Sequence, residues 1–139
     1  MEYYNREDLK AFMPHREPML LIDEVWVDDE GVAHSRYRVP EDAHYLQGHF
    51  PNNPIVPGVI LCEIMAQSCV VLSREYAVGK VTLFTGIDKM RFRQIVRVGD
   101  VCEVTAHLTN KRGMMFFCEV SLSVAGSVCC RGELSFALA

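Results

Sequence analysis

The chain lacks most features that would place it in a specialised class. No uninterrupted apolar run is long enough for a bilayer: Val56 to Leu72 comes nearest, and Glu63 and Gln67 break it. There is no Cys-x-x-Cys pair, and no two histidines stand at metal-ligand spacing on a shared helix, so a metal site is not expected. The first ten residues are polar and charged, which implies no signal peptide and a cytoplasmic chain with reduced thiols. Repeats, linkers and low-complexity segments are absent. With 139 residues the chain is one domain, 1–139, large enough to bury a core without disulfides or metal. It is too short for a cofactor-binding domain beside a substrate domain.

What is present is ordinary globular composition, half apolar and 23% charged. The six cysteines are read as structural: Cys102, Cys118 and Cys130 fall on apolar strand faces, where a thiol packs as a small hydrophobe. Charge is uneven. The net charge is −4, yet Lys80 to Arg112 carries seven basic and three acidic residues, so this stretch is +4 and the rest −8. It reads either as solvated strand faces or as a basic patch for an acidic partner. No nucleic-acid motif accompanies it, so no nucleic-acid partner is expected.

The apolar pattern changes period along the chain. Asn5 to Phe12 reads as a short helix, with Asn5 and Asp8 as an N-cap arrangement and Pro14 as its stop. Leu20–Val27 and Val32–Val39 read as strands around the turn at Asp28–Gly31. Ile55 to about Ala77 is the long helix, with Pro57 in its first turn. It is apolar nearly all round and therefore buried. Beyond Gly79 the period becomes two. Strands are expected at Lys80–Gly86 and Lys89–Val96, then through Cys102–Leu108, Cys118–Val124 and Val128–Leu138. Such alternation means antiparallel strands with one buried face, and the long helix is the only cover available. The expected fold class is α+β: an antiparallel sheet curled around one long buried helix.

Residues Gly48 to Glu63 carry the chemistry. Pro51, Pro54 and Pro57 stand at every third position and stiffen the loop that holds His49. Glu63 lies too deep in the helix to cap it, among Ile60, Leu61, Ile64, Met65 and Ala66. A buried carboxyl must be paired or protonated. Glu63 is thus either a core residue satisfied by Gln67 at i+4 or an arginine, or a functional acid. His49 alone means little, since His15, His34, His44 and His107 are also present; of these, His34 and His107 are expected on solvent-facing strand positions. The combination means more. A histidine base, a carboxyl acid and the Gly58 N–H at a helix start form a set able to remove a proton beside a carbonyl and expel a β-hydroxyl. That chemistry needs no cofactor.

The sequence resembles the (3R)-3-hydroxyacyl-[acyl carrier protein] dehydratases of bacterial type II fatty acid synthesis over nearly its whole length. The resemblance is carried by Pro14-His15-Arg16 with Pro18, by Leu20-Leu21-Ile22-Asp23, and by Gly48 to Gln67. Gly86-Ile87-Asp88-Lys89-Met90-Arg91-Phe92-Arg93 and Gly99-Asp100 complete it. Departures are Glu17 and Leu46, where aromatic residues are usual, and Val98, where proline is common. The resemblance implies a hot-dog fold and homodimers in which His49 of one subunit faces Glu63 of the other, often assembled into hexamers as trimers of dimers. It implies syn dehydration of a 3-hydroxyacyl thioester to the trans-2-enoyl thioester. His49 would take the α-proton, Glu63 would serve the leaving hydroxyl, and the Gly58 N–H would polarise the carbonyl. Gln67 and Phe50 would also belong to the substrate-binding set, with Gln67 supporting Glu63. Acyl carrier protein would dock on the basic stretch. Competing readings are a hot-dog acyl thioesterase, a non-catalytic hot-dog subunit, and a dehydratase of polyketide or specialised lipid synthesis.

Overall fold

A computed structural model describes residues 1–139. Its elements in chain order are β1 (Glu2–Asn5), α1 (Arg6–Leu9), β2 (Glu24–Val27), β3 (Ala33–Arg38), α2 (Gly58–Cys69), α3 (Arg74–Ala77), β4 (Thr82–Phe92), β5 (Val101–Arg112), β6 (Met115–Val124) and β7 (Ser127–Leu138). Short 3-10 turns cover His44–Leu46 and Val70–Ser73. The strands form one seven-stranded sheet in the order β1-β2-β3-β5-β6-β7-β4, with every pair antiparallel. Helix α2 packs across β3, β5, β6 and β7. This is the expected α+β fold, a sheet wrapped on one long helix. No helix is long and apolar enough to cross a membrane.

One cluster of 35 buried apolar residues joins helix to sheet. Ile64, Met65 and Cys69 of α2 lie in it against Val104 and Ala106 of β5 and Cys118, Val120 and Leu122 of β6. Each such aliphatic side chain contributes about 1.5–3 kcal/mol on burial. A hydrogen bond of 2.6 Å between the Ser35 and Ser68 hydroxyls pins β3 to α2, and Ser68 also reaches the Ile64 carbonyl. All six cysteines are buried free thiols. Burial pushes the Cys102 and Cys130 thiols up to about 12, so they remain protonated and pack as hydrophobes.

Several boundaries differ from those the sequence suggests. The Asn5–Asp8 capping box forms, but the α-helix ends at Leu9, and Glu2–Asn5 pairs with β2 as a strand. Leu20–Ile22 are buried yet not in a strand. Three of their backbone groups are taken by side chains: Arg6 donates to the Leu20 and Ile22 carbonyls, and the Leu21 N–H donates to Gln67. The long helix begins at Gly58 and tightens into a 3-10 turn after Cys69 before α3. Lys80–Gly86 and Lys89–Val96 are not two strands. Thr82–Phe92 is one strand with two register shifts against β7, and Lys89 sits at φ 53° beside the second. A further shift at Leu108/Asn110 leaves Leu108 exposed, and one at Leu122/Ser123 buries both Cys129 and Cys130.

Strand β4 is an edge of the sheet and is rich in exposed apolar side chains. Leu83, Phe84, Ile87 and Phe92 lie on it, with Val81 and Ile95 just beyond its ends.

Candidate active site

The loop ahead of α2 is held by backbone bonds as well as by its prolines. The Ile55 N–H donates to the His49 carbonyl at 2.8 Å, and the Val56 N–H to the Val96 carbonyl at 2.9 Å. A tight turn joins Phe50 and Asn53, and Arg97 donates to the Asn53 side chain at 2.7 Å. Gly48 takes φ 83°, the left-handed conformation that glycine adopts without penalty. The His49 ring is partly buried, with its Nδ1 3.0 Å from the Ile55 carbonyl. A carbonyl oxygen only accepts, so Nδ1 carries the hydrogen. In the neutral ring Nε2 is then left with its lone pair. The His49–Phe50 peptide is cis, and the two rings stack with centroids 4.2 Å apart.

At the start of α2 the Ile60 and Leu61 N–H groups donate to the Pro57 carbonyl, Pro57 offers no side-chain cap, and the Gly58 N–H lacks an intrahelical partner. A Cβ at Gly58 would stand 3.0 Å from the Phe92 ring. A side chain at this position would make the Phe92 ring shift away from the helix start.

Glu63 sits one and a half turns further on. Its side chain is 25% exposed and lines a cavity of about 130 Å³ together with His15, Ala66, Gln67, Val70, Thr82, Phe84 and Phe136. Gln67 is fully buried and fully used. Its Oε1 accepts from the Leu21 N–H at 2.8 Å; its Nε2 donates to the Met19 carbonyl at 2.7 Å and to Glu63 Oε2 at 2.8 Å. The amide orientation is forced, because the backbone N–H can only donate and the carbonyl can only accept. Gln67 thus positions Glu63, and its polar atoms are occupied within the protein.

His15 is the residue that spacing did not single out. Its Nε2 lies 3.8 Å from Glu63 Oε2. Its Nδ1 is buried without a hydrogen-bond partner in the protein, and the only other such buried side-chain atom is Thr82 Oγ1. Both residues line the Glu63 cavity. Burial holds the His15 imidazole below the ordinary histidine value; Glu63 opposes that shift and Arg16 adds to it. No signal in sequence spacing connects residues 15 and 63; the only hint was the Pro14-His15-Arg16 run.

The sequence-predicted residues fall into two groups. Glu63 and Gln67 share the cavity. His49, Phe50 and Gly58 share the loop and helix start, and none of them lines it. A wider hollow of about 340 Å³ on the polar sheet face, lined by Lys89, His107, Glu119 and Arg131, shares no residue with either group. No cluster of three or more His, Cys, Asp or Glu could hold a metal ion. His34, expected in solvent, is half-covered, stacked on Trp26 and bonded to Asp28.

A seven-stranded antiparallel sheet wrapped on one long helix defines a hot-dog fold. The model of the ApeI-like family, ApeI dehydratase, matches residues 26–133. The chain is 39% identical over 138 residues to the 3-hydroxyacyl-[acyl-carrier-protein] dehydratase FabZ of Caldicellulosiruptor saccharolyticus, covering 97% of this chain and 99% of that one. The protein belongs to this family of 3-hydroxyacyl-[acyl-carrier-protein] dehydratases, which are hydro-lyases. Among solved structures, the fold matches the dehydratase heterocomplex ApeI:P from Xenorhabdus doucetiae with a TM-score of 0.81 at 22% identity, over 94% of this chain and 90% of that one. The fluoroacetyl-CoA thioesterase FlK shares the fold with a TM-score of 0.66 at 20% identity, over 82% and 87%.

Proposed function

We propose that the protein dehydrates (3R)-3-hydroxyacyl-[acyl carrier protein] to the trans-2-enoyl thioester in fatty acid elongation, at a site shared between two copies of the chain. The observation that carries this is the separation of the two groups of site residues. His49 presents an Nε2 lone pair, while the Glu63 cavity contains no base other than its own His15. A second copy that brings its His49 to this cavity completes the site.

In this reaction His49 Nε2 takes the α-proton. The Cα–H electron pair becomes the double bond, the Cβ–O bond breaks towards oxygen, and the Glu63 carboxyl of the partner subunit supplies the proton that makes water. Negative charge developing on the thioester carbonyl meets the Gly58 N–H, reinforced by the α2 dipole. Gln67 holds the carboxyl, and Phe50, stacked on His49, forms part of the wall that faces substrate. No step calls for a cofactor.

The unpaired edge of β4 with its apolar side chains supports association with a second copy, since such an edge templates further strand pairing. The same interface would shelter an acyl chain, and three such dimers could assemble into a hexamer. Arg91, Arg93 and Arg97 are exposed around Phe92 and the His49 loop, placed to receive an acidic carrier protein. The X. doucetiae heterocomplex suggests a second arrangement, with a different chain in the partner position. Its test is whether the chain purified alone is active.

The experiment supplies 3-hydroxybutyryl carrier protein to the wild type and to Glu63→Gln. Enoyl thioester from the wild type, with turnover lowered about 10²–10⁴-fold in the variant, is expected. Release of free carrier thiol without enoyl product would establish the thioesterase reading instead. Unchanged turnover in His49→Ala would remove His49 from the mechanism, and no conversion of any thioester would leave a non-catalytic subunit.

A further inference from the structure

We propose that His15 is a positioning residue that works with Gln67 to hold Oε2 of Glu63 as a hydrogen-bond acceptor, so that the transferable proton resides on Oε1. The inference rests on the reading of Glu63 as the acid. Its first support is the direction of hydrogen bonds. The Leu21 N–H and the Met19 carbonyl fix the Gln67 amide, and that amide can only donate to Oε2. In a protonated carboxyl the carbonyl oxygen is the better acceptor, so a hydrogen on Oε2 would weaken the Gln67 bond and one on Oε1 keeps it at full strength. The hydrogen therefore lies on Oε1, which makes no hydrogen bond within the chain and is free to meet a leaving hydroxyl.

The second support is the placing of His15. Its Nε2 is 3.8 Å from the same Oε2. Its Nδ1 is buried and unpartnered. The Nε2–H tautomer turns a donor towards Oε2 and leaves only an acceptor lone pair in the cavity wall. At 3.8 Å this is too long for a hydrogen bond in the free protein, yet well within electrostatic reach.

The consequence appears during the reaction. As the Cβ–O bond breaks, the departing oxygen takes the Oε1 proton and leaves as water, while the α-proton passes to His49. Glu63 becomes a carboxylate, and its new charge spreads onto Oε2, between the Gln67 N–H and the His15 N–H. The His15 contact tightens only as this charge develops, so it favours the transition state over the bound substrate. His15 touches no reacting atom in this scheme; it acts through Glu63.

The test compares kcat and KM for 3-hydroxybutyryl carrier protein in His15→Leu and His15→Gln, each in the wild-type and Glu63→Gln backgrounds. His15→Phe, which fills the ring volume, is the second variant if His15→Leu melts early. Expected are a kcat loss of about 10–100-fold in His15→Leu with KM within about twofold, and recovery to within about fivefold of wild type in His15→Gln, whose Nε2–H replaces the imidazole donor. In the Glu63→Gln background His15→Leu should cause no further loss, because no carboxylate forms. Wild-type kcat in His15→Leu and His15→Phe, a His15→Gln no better than His15→Leu, or an equal loss in both backgrounds would each overturn the role. Full turnover by Glu63→Gln itself would overturn the Glu63 acid and the His15 role with it. An inactive Glu63→Gln beside an unaffected His15→Leu overturns His15 alone.

Discussion

The two halves of the site are held in opposite ways. The His49 half is a backbone construction. A carbonyl orients the imidazole, another backbone bond closes the loop on itself, and three prolines limit what the loop can do. The Glu63 half is a side-chain construction. A carboxyl hangs from a buried helix, and the Gln67 amide ties it to a distant segment at Met19 and Leu21. The difference suits the tasks proposed for them, His49 as base and Glu63 as acid. A base needs one bare nitrogen aimed outward, and a carbonyl on the other nitrogen secures that. An acid needs its proton on one particular oxygen, and only donors aimed at the other oxygen can arrange it.

The largest effect separates the halves by subunit. His49→Ala and Glu63→Gln should each lose about 10²–10⁴-fold in turnover. Co-expressed, the two inactive chains should recover about a quarter of wild-type activity, because half the dimers are mixed and each mixed dimer has one intact site. No recovery would place both residues of a working site in one chain.

Next comes the contrast in how the halves are tied. Gln67→Leu removes the partners of two backbone groups and of Glu63, and should cost about 2–4 kcal/mol in urea unfolding, along with turnover. Asn53→Ala breaks an exposed bond to Arg97 on the His49 side and should cost less than about 1 kcal/mol. Equal costs would mean that the two halves are not built differently.

A smaller effect concerns the approach to the site. The basic stretch divides in space. Lys111 lies over Tyr76 and Phe116, and Arg112 over Phe117, whereas Arg91 and Arg93 are exposed on either side of Phe92, whose ring meets the start of α2, and Arg97 holds Asn53 of the His49 loop. Arg91→Glu with Arg93→Glu should raise KM for carrier-linked substrate by about tenfold and leave a small soluble thioester unaffected. The same reversal at Lys111 and Arg112 should do neither.

The smallest effect is a pH dependence confined to the Glu63 half. Burial holds His15 below its ordinary value of 6.5, with Glu63 and Arg16 as the charged groups acting on it. Between that depressed value and 6.5 the unfolded chain takes up a proton that the folded chain refuses. Stability from this group is thus full above 6.5 and falls as pH drops through that window. Melting temperature should decline on acidification below 6.5, and His15→Gln should flatten that part of the curve.

The class of fold and part of the candidate site were legible in the residues. Period-two alternation from Gly79 onward and one all-round apolar helix leave few ways to bury both. Glu63 drew notice because a carboxyl amid Ile60, Leu61 and Ile64 has a cost to explain. Boundaries were less legible where side chains compete for backbone groups. Leu20–Ile22 read as a strand until Arg6 and Gln67 are seen to take their carbonyls and N–H. The paired strands expected at Lys80–Gly86 and Lys89–Val96 are one bulged edge, because a register shift leaves little trace in a short apolar pattern.

The sequence by itself determined the antiparallel sheet, the buried helix, the stiff histidine loop and a carboxyl that must be paired, since each follows from local periodicity or from one residue's desolvation cost. Only the tertiary structure decided what surrounds that carboxyl. Residues 15, 19 and 21 reach Glu63 and Gln67 from more than forty positions away, through contacts that no local pattern encodes. The fold also separated His49 from the Glu63 cavity. Read residue by residue the two form one set, and only the family resemblance implied that they come from different subunits; in the fold His49 stays in the loop ahead of α2, while Glu63, one and a half turns into the helix, lines a cavity that His49 does not.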